Sequence, residues 1–259
     1  MIRRDAKTDE GSPAWALISQ VEHGRVAGEL ATDWGNVDVA PYPCAETIRP
    51  TVFHHDDGWK EWEQRPTIDP VSGKPLAFTE MPNDIAHDIW RQSIERVRQW
   101  GPLAQYMVAQ HFMRLRLSGD ETDEEGVQTF LSEYGESCDH WRAEFLSAAA
   151  LQANSDVPEL AVDYLQSFDL FSLYLCCTPR PGPYELALPR LGKLAIEIGQ
   201  QQVMVDPWPW TTSDKLIRAT AALIPAEPLQ SDEQLQECLN SRQIEMSWQL
   251  LPKSKRIEQ

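Results

Sequence analysis

Apolar residues change their period once along this 259-residue chain, and the change falls at Thr178-Pro179-Arg180-Pro181-Gly182-Pro183. Before that Pro-rich break they recur at helical intervals, and after it they come in short runs bounded by Gly, Pro, Asp or Ser. A chain written this way reads as α+β: a mainly α-helical bundle followed by a small antiparallel β region. The break divides it into a helical domain at 1–177 and a β-rich C-terminal region at 178–259 packed on it. At about 150 residues per domain, the length suits one to two such units.

Within the first part, Trp15, Ile18, Val21, Val26, Leu30 and Trp34 predict a helix over 14–34, closed by Gly35-Asn36. A second helix over 45–55 contains Pro50, which should kink or divide it. The Pro-, Asp- and Gly-rich segment 65–75 reads as a long loop. Helices follow at 83–100, at 103–117 behind Pro102, at 127–154 and at 158–176. Beyond the break, strands are predicted at 194–198, 202–206, 216–221 and 244–250, with a helix at 232–241 capped by Ser231.

Charge narrows the function. The chain carries 23 Lys and Arg against 40 Asp and Glu, a net charge of −17. Such a surface repels phosphate backbones and anionic lipid, which argues against duplex nucleic acid and against a membrane partner. No run of about 18 apolar residues is present to span a bilayer, and no apolar segment follows Met1 as in a secretory signal. Five cysteines without C-x-x-C spacing read as reduced thiols, so the expected compartment is the cytoplasm. The acidic run at 120–125 reads as a solvated loop or helix start, with attraction of a cation as the sharper alternative.

The string Phe53-His54-His55-Asp56-Asp57-Gly58-Trp59 carries the sharpest chemistry. Adjacent His and Asp at a helix end bring an imidazole nitrogen and a carboxylate oxygen to one point, a combination suited to a first-row divalent metal. A glycine two residues on lets the chain turn with no side chain over the site. His23, His87 and His111 fall on other predicted helices. Asp169 stands alone in the very apolar Phe168-Asp169-Leu170-Phe171, where a lone buried carboxylate costs several kcal/mol unless it is paired or metal-bound.

The order His23, His55-Asp56, His87, His111, Asp169 resembles the HD-domain superfamily of metal-dependent phosphohydrolases over about residues 15–177. The resemblance implies one metal on His23, His55, Asp56 and Asp169, and a second on His87 and His111. It further implies hydrolysis of a small phosphomonoester or phosphodiester by one or two divalent transition ions (Fe, Mn, Co, Ni or Zn). Asp56, Asp57 and Glu22 are then the candidate catalytic carboxylates, Asp57 and Glu22 as orienters of imidazole. Two features depart from the pattern: Trp59 follows Gly58 where a Lys or small residue is usual, and Pro50 interrupts the His-Asp helix. Arg25, Lys60 and Arg91 are the nearest cations in sequence. Ser19-Gln20-Val21-Glu22-His23, the HDDGW string, Gln166-Ser167-Phe168-Asp169-Leu170-Phe171-Ser172-Leu173 and Asp206-Pro207-Trp208-Pro209-Trp210 also look like an uncharacterised bacterial family known only as a domain of unknown function.

Blander readings stand beside these. His55-Asp56 also reads as a capping pair, His87 as a surface residue and His111 as a satisfied core histidine. His54 and His140 fit no ligand slot, and Gln20 and Glu22 read as ordinary polar helix residues. A non-catalytic binding or regulatory module with a structural or vestigial metal site is the alternative function. A haem or di-iron bundle is weaker, since Glu-x-x-His pairs do not repeat on two helices.

Overall fold

A computed structural model describes residues 1–118, 125–177, 181–199 and 202–253. The chain opens on two antiparallel strands, β1 (Ile2–Lys7) and β2 (Pro13–Ile18), where the sequence predicts a helix from residue 14. Along β2, Ala16 and Ile18 pack into the main core while Trp15 and Leu17 pack into a second one on the opposite face. A strand buried on both faces is apolar throughout, so periodicity alone does not separate it from a helix. Ser19 marks the true boundary: its hydroxyl accepts from the Glu22 N–H at 2.9 Å and caps α1 (Gln20–Ala31).

The helices continue as α2 (Ala45–His54), α3 (Trp59–Gln64), α4 (Asn83–Arg96), α5 (Pro102–Leu117), α6 (Glu125–Ala148) and α7 (Val157–Cys177). Pro50 lies inside α2 without dividing it. The helix predicted over 127–154 stops at Ala148, and Ala150 takes a left-handed φ of 53° just beyond. The acidic run at 120–125 lies outside the described residues apart from Glu125. Among the described residues no helix is long and apolar enough to cross a membrane.

After α7 come β3 (Gly182–Leu188), β4 (Gly192–Ile198), β5 (Gln202–Asp206), β6 (Lys215–Pro225), α8 (Asp232–Ser241) and β7 (Gln243–Pro252). Ser231 caps α8 as expected, accepting from the Gln234 N–H at 3.3 Å. All seven strands form one sheet in the order β1-β2-β6-β7-β5-β4-β3, antiparallel except for the parallel pair β5–β7. The expectation of an all-helical bundle followed by a small antiparallel β region is therefore corrected to an α+β fold with a seven-stranded mixed sheet. The N-terminal strands were hidden for physical reasons: β1 is mostly charged at an edge, and β2 is apolar on both faces. β3 begins inside the Pro-rich segment that reads as a boundary, and Pro is tolerated there because β3 is the other edge.

Two glycines set how closely the helices approach. A Cβ on Gly28 of α1 would sit 2.1 Å from the Phe53 ring of α2, so only glycine admits that ring. Gly58 has an ordinary helical φ of −62°, and a Cβ there would meet the Ile89 carbonyl oxygen of α4 at 2.0 Å. Its role is close backbone approach, where the sequence suggested freedom to turn. These contacts bring the α1 and α2 residues that matter next to each other and pin the chain after Asp57 against α4.

Candidate metal centre

His23 projects from the first turn of α1, His55 and Asp56 from the end of α2, and Asp169 from the middle of α7. One ligand atom of each lies within 4.8 Å of all the others. His23 Nε2 is 2.7 Å from Asp169 Oδ1 and 3.8 Å from Asp56 Oδ2. His55 Nε2 is 3.2 Å from Asp169 Oδ1 and 3.4 Å from Asp56 Oδ2. The two imidazoles meet edge to face at 5.7 Å. All four side chains are buried, His55 completely.

The outer nitrogens fix which atoms face inward. Ser172 Oγ donates to the Asp169 carbonyl at 2.8 Å, so its lone pair accepts the His23 Nδ1–H at 2.7 Å. The Val52 carbonyl can only accept, so His55 Nδ1 donates to it at 2.8 Å. Both imidazoles therefore aim a basic Nε2 at the two carboxylates, the arrangement that outer hydrogen bonds create in metal sites. Burial alone would depress the His55 imidazole, but Asp56 and Asp169 outweigh it and push it up to about 9. Burial raises the Asp169 carboxyl too, and the close approach of the His23 and His55 imidazoles more than reverses this, holding it well below the usual carboxylate range. Burial likewise raises Asp56. Two carboxylates and two inward imidazole nitrogens in one dry point require positive charge, and a divalent cation fits the donor set. The chain's own residues could thus hold a metal ion.

Ser172 was not singled out by sequence, although it lies three residues after Asp169 on α7 and so on the same helix face. Replacing it by Ala is expected to weaken divalent-metal affinity by about 10–100-fold while the fold persists, measured by competition with a chromogenic chelator. Unchanged affinity would show that His23 is oriented without it.

The remaining predicted residues are placed as follows. His111 of α5 is buried with its ring 5.6 Å from His55, edge to face, outside the four-residue cluster. Burial lowers it to about 4, so it is a neutral imidazole, and its Nδ1 has no hydrogen-bond partner among the described residues. His87 of α4 stands apart from the cluster, its ring stacked on Phe130 at 4.9 Å. Asp57 turns away to accept from His54 Nδ1 at 3.0 Å and from Lys60 Nζ at 2.7 Å. Glu22 accepts from Arg25 and from the Thr220 N–H. Of the nearest cations in sequence, Arg25 is held by Glu22, Lys60 by Asp57, and Arg91 by Asp88 and Glu133.

The cluster opens to one side on a cavity of about 390 Å³ whose walls include His23, Asp56, Asp169 and His111. A cavity of that volume falls within the range of small-molecule sites. Among the described residues that line it, the single Lys or Arg is Arg116 of α5, whose guanidinium lies 4.8 Å above the Trp90 ring. No sequence motif marks Arg116; only the helix geometry puts it there.

The chain belongs to the family described as Protein of unknown function (DUF3891), which matches residues 1–225. Neither a curated protein nor a solved structure matches it.

Proposed function

We propose that this member of an uncharacterised family is a metal-dependent hydrolase of small phosphate esters, with one divalent ion on His23, His55, Asp56 and Asp169. The observation that carries the reading is that three of the four converging donors, His23, Asp56 and Asp169, line a cavity, so the cluster is not a sealed knot in the core. Structural metal sites are closed by four protein ligands in a packed interior, whereas catalytic ones keep a side open to substrate. That opening favours an enzyme over the non-catalytic module with a structural metal. The resemblance to HD-domain hydrolases adds the reaction type and rests on ligand order alone.

A divalent ion held there supplies a Lewis acid for a phosphoryl oxygen and lowers the pKa of a coordinated water toward about 7. The protein's part is to hold that geometry. Asp56 and Asp169 balance the charge of the ion, while Ser172 and the Val52 carbonyl keep His23 and His55 in the tautomer with Nε2 inward. Mixed imidazole and carboxylate donors suit Fe, Mn, Co, Ni or Zn over Mg. On a chain of net charge −17, the locally positive centre is also what draws in an anionic ester.

Purified protein is expected to carry near-stoichiometric transition metal by elemental analysis and to hydrolyse members of a phosphoester panel. A His55→Ala/Asp56→Ala variant is expected to have neither property. A wild-type protein that takes up no metal on reconstitution sinks the proposal, and full occupancy with no turnover across the panel favours the non-catalytic reading.

A further inference from the structure

We infer that the cavity selects phosphate esters of a small apolar alcohol, with Arg116 as the anion-binding residue beside the metal and an apolar wall for the alcohol. This rests on the metal centre proposed above and names its substrate class. Side chains four residues apart share a helix face one turn from each other. On α7 the cluster residue Asp169 is followed one turn later by Leu173, and on α5 His111 is followed one turn later by Leu115. Phe112, next to His111, is followed one turn later by Arg116. All six line the cavity, and exposure rises outward: Asp169, His111 and Phe112 are buried, Leu173 and Arg116 are half-buried and Leu115 is 44 % exposed. The helices therefore lay down a metal-side floor, and one turn further toward solvent two leucines and one guanidinium.

The walls divide by chemistry. Leu115, Leu173, Phe112, Met81 and Trp59 give the cavity an apolar side. Trp90 is stacked on Phe112 at 4.8 Å, with planes 8° apart, and carries Arg116 over it. A guanidinium laid over an indole is pre-oriented, and its planar fork matches two oxygens of a phosphate or phosphonate. Among the described residues that line the cavity it is the one Lys or Arg, beside the carboxylates of Asp56, Glu80 and Asp169.

A second, independent observation points to a ligand. Gln20 is 3 % exposed, lines the cavity one turn before His23, and its Oε1 has no donor among the described residues. Trp59 is 2 % exposed, lines the same cavity, and its Nε1–H has no acceptor among the described residues. Buried polar atoms left without partners are rare and mark places where a ligand or water completes the hydrogen bonding. An acceptor without a donor suits an O–H, and a donor without an acceptor suits an ester or phosphoryl oxygen. Gln20, read from sequence as an ordinary polar helix residue, thus belongs to the wall of the site.

The test uses full-length protein loaded with Mn²⁺ or Zn²⁺, with metal content measured first and phosphonate binding then followed by calorimetry. Phenylphosphonate is expected to bind at least about tenfold more tightly than methylphosphonate, since a buried ring adds apolar contact that a methyl lacks. Arg116→Leu is expected to weaken both phosphonates by about 10–100-fold with metal content unchanged. Leu173→Asn is expected to remove the preference for phenyl and leave methylphosphonate binding as it was. Both positions are half-buried, and thermal melts check that the variants fold. Equal binding of the two phosphonates, or phosphonate binding indifferent to Arg116→Leu, in protein carrying its metal overturns the inference and leaves the metal-dependent hydrolase standing. Failure to load metal overturns the hydrolase reading, and the substrate class with it.

Discussion

Asp169→Asn is expected to fold and to hold less than about a tenth of the wild-type metal, because its Oδ1 is the atom both imidazoles approach, at 2.7 and 3.2 Å. Asn keeps the shape and loses the charge that balances a dication in a buried site. The same change appears in stability. A ligand present at a hundred times its Kd stabilises the native state by about 2.7 kcal/mol. For a chain of this size each kcal/mol moves Tm by roughly 2–4 °C. A strong chelator should therefore lower the wild-type Tm by roughly 5–10 °C and leave Asp169→Asn where it was. A variant that retains one ion per chain, or a wild type indifferent to chelation with metal shown to be removed, rules out Asp169 as a ligand.

Gly58→Ala is expected to be among the most destabilising single methyl additions in the protein. The backbone there is helical and accepts alanine, so the whole effect comes from α4. The new Cβ would lie 2.0 Å from the Ile89 carbonyl oxygen and 2.6 Å from both the Ser93 nitrogen and its Oγ. The first two are backbone atoms, which cannot swing aside, and α4 must retreat. Retreat also breaks the bond from the Gly58 N–H to Ser93 Oγ at 3.0 Å. Overpacking of this kind costs about 3 kcal/mol or more, roughly 6–12 °C in Tm. Gly135→Ala in α6, where a Cβ would meet nothing within 4 Å, is the matched control, expected to be neutral or slightly stabilising. Equal melting of Gly58→Ala and wild type would show that α4 is not bound to this glycine.

What could be read from the sequence follows from how local the signal is. The helices from α4 to α7 are amphipathic over many turns, and their periodicity is recoverable without knowing the partner. Asp169 stood out because an isolated carboxylate in an apolar helix needs a counter-charge wherever it is. The sheet was harder, because its identity lies in pairing across long separations. β2 looks like part of a helix until Leu17 is seen opposite Ala222 of β6. Two classes of site residue were also silent. Ser172 acts through the orientation of another side chain, and a serine three residues from an aspartate is common in any helix. Arg116 comes to the cavity on α5, where α1, α3, α4 and α7 also supply walls, and no spacing in the sequence records that.

The family match ends at residue 225, which is also the last residue of β6. The sheet does not end there. β7, which lies wholly beyond the match, is seated between β6 and β5 and pairs with both. A fragment cut at residue 225 would keep every residue of the proposed metal centre and yet fall into two three-stranded pieces, β1-β2-β6 and β5-β4-β3, each with a bare inner edge. In this protein the last strand is therefore a keystone, and sequence similarity and mechanical integrity draw their borders at different places along the chain.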